Sequence, residues 1–354
     1  MERIAYFLGA NTPGGFFSFY DQLWNPATAS AVYLLKGGPG CGKSTLMRRI
    51  AARAEGAGER TEYILCSGDP SSLDAVILPE RGVVIADATA PHGLEPVYAG
   101  VVEHYVNLGD CYDKGGLGAL RERVIAATGA YRASYEAAPL ALAAAEAVGT
   151  QGRALLTTPV LREKLVRRAR GILGRECKKT GRVGTVTRRF LSGTTCDGSL
   201  CLWGTAAALC PRIYELADSY ALAGPLLETV LEGAVASGYD AVACHCPTAP
   251  GRLEHLLLPG LGLGFLSSAP QLPYPGETYR RIRVDAMADP AALREHKGQL
   301  RFVRKISGAL MEDAVAALGT AKGLHDQLEA LYRPHTDFAR ADCITEGLCR
   351  EIFG

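Results

Sequence analysis

Residues 37–44 read Gly-Gly-Pro-Gly-Cys-Gly-Lys-Ser, which sets Gly37, Gly42, Lys43 and Ser44 at the spacing G-x-x-x-x-G-K-[ST]. Each residue type answers a need of polyphosphate binding. Glycines let successive backbone N–H groups converge on an anion without Cβ clashes, and they reach φ > 0 where the loop turns. A helix starting at the end of the loop adds the positive end of its dipole. The Lys43 ammonium would bridge the β- and γ-phosphates of a nucleotide, and the Ser44 hydroxyl would ligate Mg²⁺. Gly37, Gly38, Pro39, Gly40, Cys41, Gly42, Lys43, Ser44 and Thr45 are therefore expected to cradle the phosphates of ATP. Pro39 would stiffen the loop, while Cys41 fills a position open to many residues. The competing reading is an ordinary glycine-rich turn ahead of a helix.

The flanking sequence supplies the elements that such a loop requires. Ala31 to Leu35 is apolar and β-favouring, as in a buried parallel strand. Thr45 to Glu55 reads as an amphipathic helix ending at Gly56 or Gly58. Gly82-Val-Val-Ile-Ala-Asp87 is an apolar run closed by aspartate, the form of a Walker B strand. Lying beside strand 31–35, it would bring Asp87 to Ser44 and the metal, with Lys43 and Asp87 as the catalytic pair. Ala88 follows Asp87 where many ATP-driven machines carry a water-orienting carboxylate, which argues against fast unassisted hydrolysis. Asp69, Asp74, Glu80 and His92 sit near expected strand ends and could polarise water, sense the γ-phosphate or contact a substrate. For Asp69 the alternative is a helix N-cap, and for His92 local hydrogen bonding. No Asn-Lys-x-Asp or Thr-Lys-x-Asp guanine reader is present, which favours ATP over GTP.

The chain also repeats itself. Residues 66–82 align without gaps on 246–262, matching Cys66 with Cys246, Leu73 with Leu253, Pro79 with Pro259 and Gly82 with Gly262. Phe7, Leu8 and Gly14 resemble Phe190, Leu191 and Gly198, and Tyr98 to Gly100 resembles Tyr274 to Gly276. The expected fold class is α/β: duplicated P-loop NTPase-type units with parallel-sheet cores, each followed by an α-helical hairpin. The expected segments are a nucleotide-binding unit at 1–115, a hairpin at 116–185, a degenerate unit at 186–289 and a second hairpin at 290–354. At an offset of 180, Leu222, Ala223 and Gly224 stand opposite Gly42, Lys43 and Ser44, and Ser267 stands opposite Asp87. Asp218 adds an anion there. The second unit is expected to keep the fold and lose the nucleotide.

With 48% hydrophobic and 21% charged residues among 354, the chain has ample material for a core and is not disordered. A net charge of +1 gives no global attraction to nucleic acid or anionic membrane. No apolar stretch is long enough to span a membrane, and Glu2 with a short apolar run is wrong for a signal peptide, so a cytoplasmic location is expected. The 11 cysteines then read as reduced thiols, and Cys244-His245-Cys246 matches no standard zinc spacing. Between Arg162 and Arg189 lie eleven Lys/Arg residues and only Glu163 and Glu176. That run is a solvated helix face, an anion or nucleic-acid patch, or the source of an arginine finger.

Four stretches, Phe-Leu-Gly-Ala-Asn-Thr-Pro-Gly-Gly-Phe-Phe-Ser-Phe-Tyr (7–20), the loop 35–47, Cys-Ser-Gly-Asp-Pro-Ser-Ser-Leu-Asp (66–74) and Asp-Ala-Thr-Ala-Pro-His (87–92), carry a resemblance. In them the chain resembles a bacterial family of tandem P-loop ATPase-like proteins, over nearly its full length. The resemblance implies ATP binding through Gly37 to Thr45 and points to no particular substrate. Many members of that family carry an intact loop in both halves, and this chain departs from them at 217–225. The expected activity is a single Mg·ATP site with slow or partner-stimulated hydrolysis, the partner being a protein or a small-molecule substrate. A small-molecule or nucleotide kinase using Asp69 or Asp74 as base, and a scaffold that only binds ATP, are the alternatives.

Overall fold

A computed structural model describes residues 3–354; Met1 and Glu2, on which the reading of the amino terminus leans, lie outside them. The first half contains strands β1 (Ile4–Phe7), β2 (Gly9–Thr12), β3 (Gly15–Ser18) and β4 (Ala31–Lys36), then helix α1 (Lys43–Gly56). Strands β5 (Glu62–Leu65), β6 (Leu73–Leu78), β7 (Val83–Asp87) and β8 (Glu103–Asn107) follow. Helices α2 (Lys114–Ala119), α3 (Arg121–Tyr135), α4 (Ala137–Leu156) and α5 (Pro159–Glu176) close it. The second half runs β9 (Val186–Arg189), β10 (Ser192–Thr195), β11 (Gly198–Cys201), α6 (Trp203–Leu209), β12 (Arg212–Ala217) and α7 (Gly224–Ala236). It continues through β13 (Ala241–Cys246), β14 (Ala249–Leu258), β15 (Leu263–Ser268), β16 (Arg280–Arg283), α8 (Pro290–Glu295), α9 (Lys297–Tyr332) and α10 (Phe338–Phe353).

Each half forms a six-stranded sheet of the same order, β1-β5-β6-β7-β4-β8 in the first and β9-β13-β14-β15-β12-β16 in the second. The sheets are mixed and not purely parallel as expected, because β6 runs antiparallel to both β5 and β7, and β14 to both β13 and β15. The reason is loop length. Residues 66–72 and 79–82 are far too few for a parallel crossover, which needs a dozen or more. The reversal matters for the site: β6 starts at the end of the sheet where β4 and β7 finish, so Asp74 arrives beside the loop that follows β4.

Backbone geometry sharpens the internal alignment. Gly82 and Gly262 end equivalent turns with φ of 63° and 62°, which fits the offset of 180. Strand β12 is offset by 181 from β4 while β15 keeps 180 from β7, since Tyr33 pairs with Ile85 where Tyr214 pairs with Phe265. In the hairpins β2–β3 and β10–β11, Gly198 (φ 123°) corresponds to Gly15 (φ 95°) and not to Gly14. The halves meet at their edge strands, where Phe7 and Phe190 exchange two backbone hydrogen bonds of 2.9 Å. Phe7, Leu8, Phe19, Phe190, Leu191 and Leu266 share one core across that seam.

The helices do not stay with the sheet that precedes them. Leu161, Leu165, Ala169 and Ile172 of α5 pack into the second half against Leu226 and Val230 of α7. Reciprocally, Ala341, Leu348, Cys349 and Ile352 of α10 pack on Leu46, Met47 and Ile50 of α1. One hydrogen bond is repeated in both places: Tyr33 donates to Glu351 at 2.9 Å, and Tyr214 donates to Glu176 at 2.7 Å. Between the sheets, α3 and α4 lie antiparallel to α9, with Tyr131 against His325, Leu142 near Ala314 and Gly152 against Val303. A Cβ on Gly152 would stand 2.7 Å from Val303 Cγ1, so that approach needs glycine. The α9 helix is unbroken over 36 residues, whereas its counterpart divides at Glu136. Pro139 explains the division, because it has no N–H to donate to Tyr135.

Candidate functional site

The loop after β4 turns through two left-handed glycines, Gly40 (φ 69°) and Gly42 (φ 91°). Its inner wall is tight: a Cβ on Gly37 would stand 2.6 Å from Cys41 Sγ and 3.2 Å from Leu108 Cβ. Helix α1 begins with Leu46 N–H donating to Gly42 O at 2.9 Å. The amides of Gly40, Cys41, Gly42 and Lys43 have no acceptor among the described residues. Four unpaired donors on a half-buried loop at a helix N-terminus form a ready anion nest. Lys43 Nζ donates to Gly37 O at 2.5 Å and Gly38 O at 3.0 Å and lies 3.5 Å from Asp87 Oδ2. Lys43 and Asp87, the expected catalytic pair, are thus brought together. Asp87 Oδ1 accepts from Thr89 N–H at 2.8 Å, and the Thr89 hydroxyl donates to Gly37 O at 2.9 Å. Ser44 Oγ accepts from Leu73 N–H at 3.3 Å, which orients the hydroxyl toward β6. Thr45 is exposed.

The second loop supplies an internal comparison. Strand register puts Gly224 opposite Lys43 and Pro225 opposite Ser44, one residue on from the sequence alignment; no lysine is restored. Ala221 stands opposite Gly40 and keeps its left-handed backbone, with φ 54°, as no other non-glycine does among the described residues. The two loops part at the helix start, where Gly42 is left-handed with φ 91° and Ala223 is right-handed with φ −67°. Asp218, opposite Gly37, turns its carboxylate inward and accepts from Leu222 N–H at 2.8 Å and Ala223 N–H at 2.7 Å. Those two amides correspond to Cys41 and Gly42, which are open in the first loop. Burial pushes the Asp218 carboxyl upward, opposed by these same two N–H groups. A side-chain anion fills the nest from within.

Of the four acidic and basic residues picked out by position, two converge. Asp74 Oδ2 accepts from Tyr20 Oη at 2.8 Å, Tyr20 Oη is 2.7 Å from His92 Nδ1, and His92 Nε2 is 3.4 Å from Asp74 Oδ1. Asp74 is 3% exposed, and burial raises its carboxyl above the usual range while His92 opposes the rise. Burial, then the Asp74 charge, drives the Tyr20 hydroxyl well above its ordinary value. Tyr20 was not foreseen; only its place in the aromatic run 16–20 could have flagged it. Asp69 does not cap a helix, because none follows: it accepts from Ser71 N–H at 2.9 Å in a turn and lies 3.4 Å from Lys322 of α9. Glu80 accepts from Arg60 N–H at the other end of β6. The tyrosines that pack on the loop, Tyr112 and Tyr332, carried no sequence signal.

The basic run follows the exposed face of α5 and the linker after it, with Arg167 paired to Glu163 and Arg182 to Asp240. As α5 packs on α7, its arginines belong to the second half's surface. All 11 cysteines are free, and Cys244 and Cys246 are buried. No helix among the described residues is long and apolar enough to cross a membrane. Set against known proteins, the chain matches no family model, no curated protein and no solved structure.

Proposed function

We propose that the first half binds one Mg·ATP at the loop 37–45 and hydrolyses it slowly, or on stimulation by a partner. One observation carries this reading. Two loops at equivalent places in the two sheets differ in that one holds its own carboxylate on amides that the other leaves unpaired. A phosphate oxygen on Cys41 and Gly42 would take the place that Asp218 takes in the second half. Lys43, freed from the Gly37 and Gly38 carbonyls, would then face the γ-phosphate. The Ser44 hydroxyl and the Asp87 carboxylate are hard oxygen donors of the kind Mg²⁺ prefers, and they are the residues that would hold it. The ion would supply charge neutralisation on the phosphate oxygens. In hydrolysis, water adds to the γ-phosphorus, the bond to the bridging oxygen breaks with its electron pair leaving on ADP, and the water proton needs an acceptor. With Ala88 unable to serve, Asp74 is the buried carboxylate that the neighbouring strand offers. The Tyr20–Asp74–His92 group also suits transfer to a hydroxyl acceptor, which keeps phosphotransfer as the second reading.

Calorimetric titration of ATP, ADP and GTP into wild type and Lys43→Ala, followed by a phosphate-release assay, tests the proposal. ATP binding that Lys43→Ala weakens at least tenfold, about 1.4 kcal/mol, is the expected result. Absence of ATP binding to the wild type, or equal affinity in the variant, refutes it. ADP formed without free phosphate in the presence of an acceptor selects the transferase reading.

A further inference from the structure

A cavity of about 480 Å³ opens immediately beside the phosphate loop, between the start of the α2–α3 segment and the end of α9. Its size falls within the roughly 300–1,000 Å³ of small-molecule sites. Tyr112, Leu117, Ile125 and Tyr332 give it an aromatic and aliphatic lining, and Lys114 and Arg121 stand at its rim. The cavity and the loop share walls. Tyr112 Oη donates to Pro39 O at 3.1 Å, and a Cβ on Gly38 would stand 3.0 Å from Tyr112 Oη and 3.7 Å from Tyr332 Cε1. The Tyr112 and Tyr332 rings lie 5.3 Å apart at 55°, tilted and not stacked on one another. Ile125 is 60% exposed, which leaves an apolar lip turned to water. Lys114 and Arg121 form no ion pair among the described residues. An aromatic floor, an apolar lip and two uncommitted cations match a ligand with a flat heteroaromatic ring and an anionic tail.

We infer that this cavity is the nucleoside subsite of the phosphate loop, taking a purine ring against Tyr112 and Tyr332 with Leu117 and Ile125 at its edge. The inference rests on the reading that the loop holds a nucleotide's phosphates. Tyr332 belongs to α9, so the second half completes the nucleotide site of the first. That assigns the degenerate half a part in ligand recognition that its own loop cannot play.

Inorganic tripolyphosphate separates the two parts of the site, because it carries the anion and lacks the nucleoside. Titrations of ATP and of tripolyphosphate into the full chain should be run for wild type, Tyr332→Ala, Ile125→Asp and Lys43→Ala. Base–aromatic stacking is lost on alanine substitution at about 5- to 150-fold, so Tyr332→Ala should weaken ATP at least fivefold. Ile125→Asp, at an exposed position remote from the loop backbone, should weaken ATP and leave tripolyphosphate within twofold. Lys43→Ala should weaken both ligands. Equal wild-type affinity for ATP and tripolyphosphate, or ATP binding unmoved by both cavity variants, overturns the subsite while the phosphate-loop reading stands. A wild type that binds neither ligand overturns both.

Discussion

Removing the Asp218 carboxylate tests whether the second loop is an anion nest closed from within. In Asp218→Gly, the amides of Leu222 and Ala223 lose acceptors at 2.8 and 2.7 Å, and Tyr220 N–H loses a weaker contact at 3.4 Å. A hydrogen bond to a charged group is worth about 1.5–3 kcal/mol, so two short ones give roughly 3–6 kcal/mol gross. Against this stands the cost of burying the carboxylate, visible in the upward push on its pKa. The net loss should be about 2–4 kcal/mol, read as a lower urea midpoint at unchanged slope. The informative step is rescue. A free anion able to enter the vacated nest stabilises the variant by RT ln(1 + [L]/Kd), about 1.4 kcal/mol at ten times Kd. Phosphate or sulfate, compared with chloride at equal ionic strength, should raise the midpoint of Asp218→Gly by more than that of wild type. Because sulfate also strengthens apolar burial generally, only the difference between the two proteins counts. A loss below about 0.5 kcal/mol, or equal responses to sulfate, would refute the nest and with it the comparison that supports ATP binding in the first loop.

Three further outcomes follow from the same geometry. Ala221→Gly should stabilise the protein by about 0.5–1 kcal/mol in chemical denaturation, since left-handed backbone costs an L-residue roughly 1–2 kcal/mol and glycine entropy returns part of it; a loss of stability would contradict the assigned φ of 54°. Burial raises the folded pKa of Asp74 above its unfolded value, so the native state holds that proton more tightly. Its contribution to stability is complete below the unfolded pKa and is lost as pH rises through the folded one. Asp74→Asn should therefore compare best with wild type near pH 7 and lose ground in thermal melts as the pH falls; a pH-independent difference would sink this assignment. Alkylation at pH 8 should label exposed Cys343 first, half-buried Cys196, pushed up to about 11, more slowly, and Cys210, buried and pushed up to about 12, only on unfolding; mass mapping of labelled peptides decides.

The turn of the loop was more legible in the chain than the architecture around it. A loop motif is local: glycines at fixed spacing report on a backbone that turns within eight residues, so Gly37 to Thr45 could be read directly. Asp87 followed because an apolar run ending in aspartate constrains one strand and its end. Duplication was legible because residues 66–82 and 246–262 must build the same turn, down to Gly82 and Gly262. Strand direction was harder. Whether β6 runs with or against its neighbours depends on the length of the loops 66–72 and 79–82, which carry no motif, and the Tyr20–Asp74–His92 contact depends on that direction. Least legible was which sheet α5 and α10 cover. An amphipathic stripe states that a partner exists; it does not name one hundreds of residues away, such as Arg49 with Asp342 and Glu346.

The crossed helices make a strong claim about how the chain divides. A fragment ending at residue 185 retains the first sheet and α1 but loses α10, leaving Leu46, Met47 and Ile50 without Leu348 and Ile352. Burying an aliphatic side chain of that size is worth about 1.5–3 kcal/mol, so those two alone remove roughly 3–6 kcal/mol. The loss is comparable to the whole stability of many domains, about 5–15 kcal/mol. The same fragment carries α5 with Leu161, Leu165 and Ile172 stripped of their partners, and α3 and α4 without α9. Neither 1–185 nor 186–354 should fold cooperatively alone, yet the two co-expressed should associate and recover a single melting transition. Cutting between α4 and α5 would keep α5 with its sheet but still strand α10, so it should rescue only the second fragment. A monomeric 1–185 that melts cooperatively would show that α10 is dispensable to the first sheet. Were that fragment also to bind ATP as tightly as the full chain, Tyr332 could not be part of the site.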